Sequence, residues 1–530
     1  MGFPLHVAQE EWKWNEIAPC WIGAHACLAL KRSAEEVARA NEFFREAPID
    51  WKFDPDMRFC ELLHSYFAFR DDPALSREAR ERLLALFSEH RGPRRAPQDP
   101  RQYGTTENHA LMGYVWRLLC AQILGDEREF SAAAEALGAF FDDHARRGWD
   151  EFASPCYMEK DVGALLLVRQ WCRDELLRRK AEMLLDALFA EYAALSLEQM
   201  YCGPAARVYG REYRPAEANH NSRRNKACHG AYSCGYLLFG MGRPAYYGVL
   251  GVNILATSDY RPPEVVVDLA CDRVGRGTYE FRSRKHGGAR IYCYCTPEYI
   301  LGSSVELPGI AGMRGRDALT NSLVLRGSTR KVFFTETLPG ARVFQYRNVL
   351  VGAGGANEAY FPLNELNEVL EREGWIFCRD DEVFVAYRVL RGGYRWAHVK
   401  SPLVYGDYIK FSQPRSPFVL EVALAEEYGG DFQAFVEDIA DNELREASAG
   451  VSYRSCGEAR AGPGAEPFSL FLPVRGLPRV EGREVDLNWP LFDSPYLRAA
   501  WGSGIIEVSK GSRQLVLDFS NPSAPRKVEK

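Results

Sequence analysis

Two stretches of the chain, residues 105–120 and 148–167, combine a polar start with a long apolar run. Apolar side chains that recur every three or four residues line one face of a helix, so each stretch predicts an amphipathic α-helix. The predicted buried positions are Leu111, Tyr114, Val115, Leu118 and Leu119 in the first stretch and Met158, Val162, Leu165 and Leu166 in the second. Both helices therefore carry their polar groups at their amino ends.

The starts of these two helices are predicted from residues that cap helices. Thr105 or Thr106 is expected to cap the first helix, because a hydroxyl oxygen can accept a hydrogen bond from a free first-turn amide. Ser154 followed by Pro155 is expected to open the second helix, since proline suits the first helical position.

Reactive side chains cluster near both predicted starts. Asn108 and His109 fall in the first turn of the first helix. Tyr157 and Asp161 are four residues apart and share a face of the second. Helix capping and a satisfied buried histidine are the ordinary roles of such residues, but their joint presence at two helix starts favours a common site.

The hydrophobic pattern divides the chain into a helical half and a strand half. Helical spacing dominates residues 12–255, and about ten helices joined by short loops favour a ring or solenoid of helical hairpins. After Arg261 the pattern changes to short β-branched and aromatic runs, starting with EVVVDLA, which predict antiparallel strands. Asp380 and Asp381 are expected at a hairpin tip.

These patterns predict a multidomain protein of α-then-β class. Residues 1–258 are expected to form an (α/α) toroid, either an incomplete ring or a six-hairpin barrel, that carries a catalytic cleft. Residues 259–530 are expected to form an antiparallel β-sandwich domain. The length of 530 residues agrees with two domains, because single cores seldom grow past about 250–300 residues.

Composition excludes several classes of partner. The net charge of -6 gives no general attraction to nucleic acid or to an anionic membrane. No apolar run is long enough to cross a bilayer. The first residues lack the basic and apolar regions of a secretory signal, so we expect a cytoplasmic protein unless an export sequence precedes them.

The fourteen cysteines lie mostly among apolar neighbours, which is typical of reduced core thiols. Cys293 and Cys295 share one face of a predicted strand near His286, but tetrahedral zinc usually takes more widely spaced ligands. We predict no cofactor, because no phosphate loop, GxSxG or HExxH motif is present. A structural metal in the strand half is the alternative.

A basic segment lies between the two halves. Over residues 207–226 six cations against two glutamates leave a local charge of +4, and tyrosines are interleaved with them. A solvated loop with ion pairs to the body is one interpretation. The other is a cleft wall for an extended anionic ligand, and an acidic polysaccharide fits better than nucleic acid. The candidate substrate-binding residues are Arg207, Tyr209, Arg211, Tyr213, His220, Arg223 and Arg224.

The helical toroid, the antiparallel β domain, the Asn-His pair and the tyrosine about fifty residues later resemble the heparinase II/III and alginate lyase group of polysaccharide lyases. The resemblance implies that Asn108 and His109 neutralise a uronate carboxylate and that Tyr157 acts as a proton carrier. It implies a histidine from the β domain as the second proton carrier. His286 is the candidate for that role, in competition with His220, His229 and His398.

The proposed reaction suits these residue types. Removal of the proton at C5 of a uronic acid places negative charge beside a carboxylate, which requires donors that withdraw the charge. A tyrosine has an unperturbed pKa near 10, so a base role for Tyr157 requires the amino end of its helix and nearby arginines to stabilise the phenolate.

Two other functions remain open from the sequence. Glu107, Glu151 and Asp161 could supply the acid and base of a glycoside hydrolase of an (α/α) toroid family. An inactive carbohydrate-binding or scaffold protein would keep the aromatic and basic residues without needing Tyr157 or His109.

Overall fold

The structure is a computed structural model that describes residues 21–46, 55–91, 106–155, 157–198, 200–206, 230–242, 250–305, 319–327, 331–337, 341–401, 404–455, 460–461 and 466–530. The described helices include none that is both long enough and apolar enough to span a bilayer. Helices come first along the chain, and antiparallel strands follow them.

The described part of the first half is almost entirely helical. Its helices are α1 (Trp21–Leu30), α2 (Ala34–Glu46), α3 (Pro55–Phe69), α4 (Arg77–Glu89), α5 (Glu107–Leu124), α6 (Glu127–Arg147), α7 (Met158–Trp171), α8 (Glu175–Leu195), α9 (Gly230–Phe239), α10 (Leu250–Ala256), α11 (Glu264–Cys271) and α12 (Arg273–Arg276). A short hairpin of β1 (Ser196–Leu197) and β2 (Met200–Tyr201) follows α8.

Polar residues set where several of these helices begin and end. Asp126 caps α6 by accepting a hydrogen bond from the backbone N–H of Glu129. Asp174 caps α8 by accepting from the first-turn amides. Gly125 ends α5 in the left-handed conformation, at φ 70°, which glycine adopts without strain. The two-residue link from α5 to α6 therefore reverses the chain, and the two helices pack as antiparallel neighbours.

Helix α7 lies at the centre of the helical half. Every residue from 158 to 168 is buried, so the helix is enclosed on all sides. It packs against α3, α5, α8 and α10. Gly163 permits the contact with α10, because a Cβ atom there would lie 2.8 Å from the Cα of Gly251. The polar residues at the start of α7 are therefore inside the protein.

The described part of the second half consists of antiparallel strands, one α-helix, α13 (Phe432–Ala440), and two short 3-10 helices. The strands are β3 (Tyr279–Arg284), β4 (Arg290–Cys295), β5 (Tyr299–Val305), β6 (Asn321–Leu325), β7 (Val332–Thr337), β8 (Arg342–Tyr346), β9 (Val349–Phe361), β10 (Glu368–Arg372), β11 (Trp375–Arg379), β12 (Val383–Val389), β13 (Tyr394–Ser401), β14 (Val404–Phe411), β15 (Ser416–Leu424), β16 (Leu444–Ala447), β17 (Gly450–Arg454), β18 (Ser469–Pro473), β19 (Arg479–Val480), β20 (Arg483–Glu484), β21 (Phe492–Asp493), β22 (Leu497–Ala499), β23 (Ile505–Lys510), β24 (Arg513–Asp518) and β25 (Arg526–Glu529).

Two groups of strands share the long strand β9. One runs in the order β25–β24–β23–β22–β21–β3–β4–β5–β6–β7. The other runs β10–β11–β12–β15–β9, and β9 pairs also with β7, β8 and β14. Strands β16 to β20 form a separate five-stranded sheet. Every pairing is antiparallel, which confirms the antiparallel β architecture predicted for this half.

The β3–β4 side of the strands packs directly on the helices. Alternate residues of β3 are buried, as expected for a strand with one face on a core. Phe281, Ile291 and Leu497 belong to the same hydrophobic core as the helices, whereas the strands around β9 to β15 enclose a second core. The β half therefore reaches the helical half through β22, β23 and β24, which contact α6, α8 and α11, as well as through β3 and β4.

The segment EVVVDLA, predicted as the first strand, is helix α11. Val265, Val266, Leu269 and Ala270 are its buried residues, and that spacing places them on one face of a helix. Pro263 precedes the first turn, where its missing N–H costs nothing. Helices therefore continue to Arg276, beyond the predicted domain boundary at 258.

The predicted hairpin at Asp380 and Asp381 is confirmed, because β11 and β12 pair across it and the backbone N–H of Asp380 donates to the carbonyl of Val383. The packing of successive helices agrees with helical hairpins. Closure of those hairpins into a toroid stays a prediction.

Candidate functional site

Glu107 is a buried carboxylate that joins the start of α5 to the turn between α6 and α7. Its Oε2 accepts a hydrogen bond from the backbone N–H of Asp150 at 2.9 Å, and its Oε1 accepts one from that of Glu151 at 2.5 Å. Nε2 of His144, near the end of α6, lies 3.0 Å from Oε2. Charge-assisted bonds of this kind fix both partners strongly. The start of α5 and the 148–151 turn therefore form one polar cluster.

His144 binds Glu107 from the α6 side of this cluster. Its Nδ1 lies 2.9 Å from the carbonyl oxygen of Phe140, so both ring nitrogens face oxygen acceptors. The ring is 5% exposed and stacks on Phe140 at 3.9 Å, with Trp149 at 4.6 Å.

Asn108 lies inside the protein behind this cluster. Its side chain is fully buried, and its Oδ1 accepts a hydrogen bond from the hydroxyl of Thr106 at 2.5 Å. Its Nδ2 has no hydrogen-bond partner in the part of the chain that the structure describes. Thr106 is the N-cap residue as predicted, although its side chain bonds Asn108 and makes no capping bond. Thr105 lies outside the described residues.

His109 stands nearer the surface than Asn108. Its side chain is 27% exposed, and its Nδ1 lies 2.6 Å from Oδ2 of Asp56, which belongs to the first turn of α3. A carboxylate on one ring nitrogen fixes the tautomer and the orientation of an imidazole. The residue is therefore an oriented histidine at the edge of the cluster.

Tyr157 immediately precedes α7. The helix begins at Met158 with Tyr157 as its N-cap residue, so the predicted start at Ser154 and Pro155 is wrong. The physical reason is that Ser154 closes an earlier turn, in which its Oγ accepts a hydrogen bond from the backbone N–H of Tyr157 at 3.1 Å. Tyr157 is half-buried at the end of this turn.

A lysine lies close to the Tyr157 ring. Nζ of Lys160 is 5.4 Å from the ring centroid and donates a hydrogen bond to Glu159 at 2.6 Å. Glu159 also accepts the backbone N–H of Gly251 from α10 at 2.6 Å, which fixes this group. A neighbouring cation stabilises a phenolate more than a phenol.

Three carboxyl groups, Glu107, Glu151 and Asp161, form a buried carboxyl cluster. All are at most 9% exposed. Burial raises the pKa of Asp161 well above its usual range, and the charges of Glu107, Glu151 and Glu159 raise it further. This shift favours the protonated form of Asp161. Its Oδ1 has no hydrogen-bond partner among the described residues.

The turn between β3 and β4, residues 285–289, brings two further groups to the cluster. Nδ1 of His286 lies 3.0 Å from Oδ2 of Asp150, and its Nε2 lies 3.6 Å from Asp143. The hydrogen bond that the ring of His286 donates to Asp150 raises the pKa of His286. Lys285 pairs with Glu191 of α8 at 2.5 Å, with both side chains at most 3% exposed.

The structure therefore unites many of the predicted residues. Glu107 binds the backbone of Glu151 directly, and the same turn carries Asp150, which binds His286. Asp161 is near enough to Glu107 and Glu151 for their charges to act on it. His109 is held on the α3 side of the α5 start by Asp56.

Other predicted residues lie elsewhere. The whole basic segment, with its seven candidate substrate-binding residues, is outside the described residues, as are the competing His220 and His229. His398 lies on β13 and is bound to Asp407 of β14 at 2.6 Å, so it does not belong to the cluster.

Sequence reasoning missed Asp56, His144, Lys160 and Lys285. The only signal for Lys285 was its position beside His286 in the sequence RKHGG. The others are single polar residues within amphipathic helices, and their partners lie far away in the chain.

The described residues include no group of His, Cys, Asp and Glu side chains arranged to hold a metal ion. The described cysteines are free thiols, and Cys271 alone among them is exposed. A surface groove of about 970 Å³ lies at the other end of α7, between Arg169, Arg178 and Lys527. None of the predicted site residues lines it.

Comparison with known proteins gives little to add to this geometry. No family model matches the chain. No curated protein matches it. A solved structure of a chondroitinase AC lyase in complex with oligosaccharides aligns with 94% of this chain and 86% of its own, at 10% identity and a TM-score of 0.33. That similarity is too low to indicate the function of this chain.

Proposed function

We propose that this protein is a carbohydrate-active enzyme, and specifically a polysaccharide lyase that cleaves uronate-containing glycans by β-elimination. The observation that carries the proposal is the position of Tyr157. It is half-buried at the start of α7, with an ammonium group 5.4 Å from its ring, beside a cluster that also reaches His286.

In the proposed reaction a base removes the proton from C5, the C4–O4 bond breaks, a C4–C5 double bond forms, and O4 takes up a proton. Tyr157 is proposed as the proton carrier, because it is half-buried beside the cluster and a cation, Nζ of Lys160, lies 5.4 Å from the centroid of its ring. A protonated Tyr157 can then donate to the leaving oxygen.

The charge that develops beside the uronate carboxylate requires neutralising donors. His109 suits this role, because Asp56 orients its ring and more than a quarter of its side chain is exposed. Asn108 lies directly behind it in α5 and is proposed as a supporting donor. His286, bound by Asp150, is the proposed second proton carrier.

The remaining substrate contacts are proposed from the sequence. The basic and aromatic residues between 207 and 224 would bind the anionic chain of the glycan, as their local positive charge favours. This contribution predicts binding that weakens as ionic strength rises.

The experiment is incubation of the protein with a panel of uronate glycans, with a neutral glucan as the control. Elimination produces an unsaturated uronate that absorbs in the ultraviolet, and one new reducing end for each double bond. We expect both signals in equal amounts with at least one acidic glycan and neither with the glucan. Absence of the absorbance with every acidic glycan would refute the lyase assignment.

A glycoside hydrolase is the second candidate, and Asp161 is the observation that favours it. A buried carboxyl group with a raised pKa, next to Glu107 and Glu151, has the properties of a general acid beside a base. Against this, Glu107 is already engaged by three donors. Reducing ends without ultraviolet absorbance would identify hydrolysis, and glycan binding without either product would identify a binding protein.

A further inference from the structure

The β3–β4 turn touches the 148–151 turn at three consecutive residues. A Cβ atom on Gly148 would lie 3.4 Å from Cδ and 3.6 Å from Nζ of Lys285. His286 binds the carboxylate of Asp150. A Cβ atom on Gly287 would lie 3.0 Å from Oδ1 of Asp150. The two turns are therefore in close contact along their length.

Gly148 permits this contact for two reasons. Its φ of 70° lies in the left-handed region, which strains other residues. A side chain there would also meet Leu491 at 3.1 Å. The chain is thus shaped to bring the backbone of the 148–151 turn against the Lys285 side chain.

Lys285 supplies positive charge to a region rich in carboxylates. Its ammonium is 1% exposed and pairs with Glu191 at 2.5 Å. Burial lowers the pKa of Lys285, while the charges of Glu191 and Glu107 act in the opposite direction. The charge of the lysine therefore acts on Glu107 as well as on Glu191, and the two oxygens of Glu107 bind the amides of Asp150 and Glu151.

We infer that Lys285 of the β half is a positioning residue for the helical site. By acting on Glu107 and Gly148, it fixes the conformation of the 148–151 turn and so the position of Tyr157. Its effect on catalysis rests on the proposed function. Its effect on the conformation of the turn does not.

The test separates positioning from bulk stability. Lys285→Met alone leaves Glu191 buried without its partner, which destabilises the fold. The double variant Lys285→Met with Glu191→Leu removes both charges and is expected to restore stability. The matched control is Lys180→Met with Asp142→Leu, which removes another buried pair that involves α8.

Hydrogen exchange at the amides of Asp150 and Glu151 is the main measurement. In the Lys285/Glu191 double variant we expect both amides to exchange about tenfold faster or more, with unchanged exchange in the α8 core. In the control double variant both amides should exchange at the parent rate. Parent-like exchange in the Lys285/Glu191 variant would overturn the inference, whatever the activity of the protein.

Kinetics give the second measurement. On a glycan that the parent cleaves, we expect kcat to fall about tenfold or more in the Lys285/Glu191 variant, with KM within about threefold. Lys285→Arg keeps the charge and should retain most of kcat. A parent without lyase activity but with the expected exchange pattern would refute the proposed function and leave the positioning role intact. If that double variant does not fold, Lys285→Gln with Glu191→Gln gives the same exchange test, because it removes both charges and keeps most of the side-chain volume.

Discussion

The two halves of the molecule each bury a glutamate, but in different surroundings. Glu421, on β15, is 1% exposed and accepts a hydrogen bond from the hydroxyl of Tyr453, which also accepts one from Asn442. Glu107, on α5, is 2% exposed and binds two backbone amides of a turn and His144. Glu421 therefore belongs to a network of side chains, whereas Glu107 fixes the backbone of a turn.

The difference lies in what each network reaches. Buried atoms without hydrogen-bond partners among the described residues occur near both glutamates: Asn108 Nδ2 and Asp161 Oδ1 near Glu107, and Nε1 of Trp375, whose ring packs on the Tyr453 that binds Glu421. The helical network extends to the half-buried Tyr157 and His286. A buried carboxyl group is therefore not by itself evidence of a functional site. The residues that its hydrogen-bond network reaches are better evidence.

Glu107→Gln is expected to have the largest effect. The amide keeps one acceptor oxygen but loses the charge that binds His144 and the turn, which should lower the free energy of unfolding by about 3–5 kcal/mol. Urea denaturation measures this change. Glu421→Gln at pH 5 is the control, with an expected loss below about 1 kcal/mol, because a neutral group still accepts from Tyr453. Equal losses of unfolding free energy in both variants would show that the two glutamates have the same structural role.

The pH dependence of Glu421 gives the second prediction. Burial raises its pKa from 4.5 to about 7, so the folded state prefers the protonated carboxyl. The stability that follows from this preference is fully present below pH 4.5 and is lost as the pH rises through 7. The loss should reach about 3 kcal/mol in the parent relative to Glu421→Gln. Denaturation of both proteins between pH 4.5 and 8 measures it, and a constant difference would contradict the shift.

Asp161→Asn is expected to have the smallest effect on stability. Because the raised pKa of Asp161 favours its protonated form, an amide of the same shape should change the free energy of unfolding by less than about 1 kcal/mol. A lyase that uses Tyr157 should retain turnover within about threefold. Loss of turnover in a well-folded variant would favour the hydrolase and assign the acid role to Asp161.

Much of the fold could be predicted from local patterns. Helical spacing identified α5 and α7, and runs of β-branched and aromatic residues identified some of the strands from β3 onward, among them β3, β4 and β12. The segment at α11 was misassigned because a run of three valines favours strand by composition, although the spacing of its apolar residues is that of a helix. The start of α7 was misplaced by one turn, since a serine oxygen can close a separate turn as readily as cap a helix.

The site was predictable only in part. Asn108, Tyr157 and Asp161 were found because they lie near helix starts, where polar residues stand out against apolar runs. The partners that define their surroundings come from distant positions: Asp56 binds His109 from 53 residues away, and His286 binds Asp150 from 136 away. Contacts of this kind arise from packing of helices and strands, and no local spacing records them.

The most direct test of the account is the turnover of Tyr157→Phe on an acidic glycan that the parent cleaves. Tyr346→Phe is the matched control, because Tyr346 is a half-buried tyrosine on β8 that packs on Phe468, remote from the cluster. The account predicts a loss of about 100-fold or more in kcat for Tyr157→Phe, with unfolding within about 1 kcal/mol of the parent, and no change for Tyr346→Phe. Parent-like formation of the unsaturated product by Tyr157→Phe would contradict it.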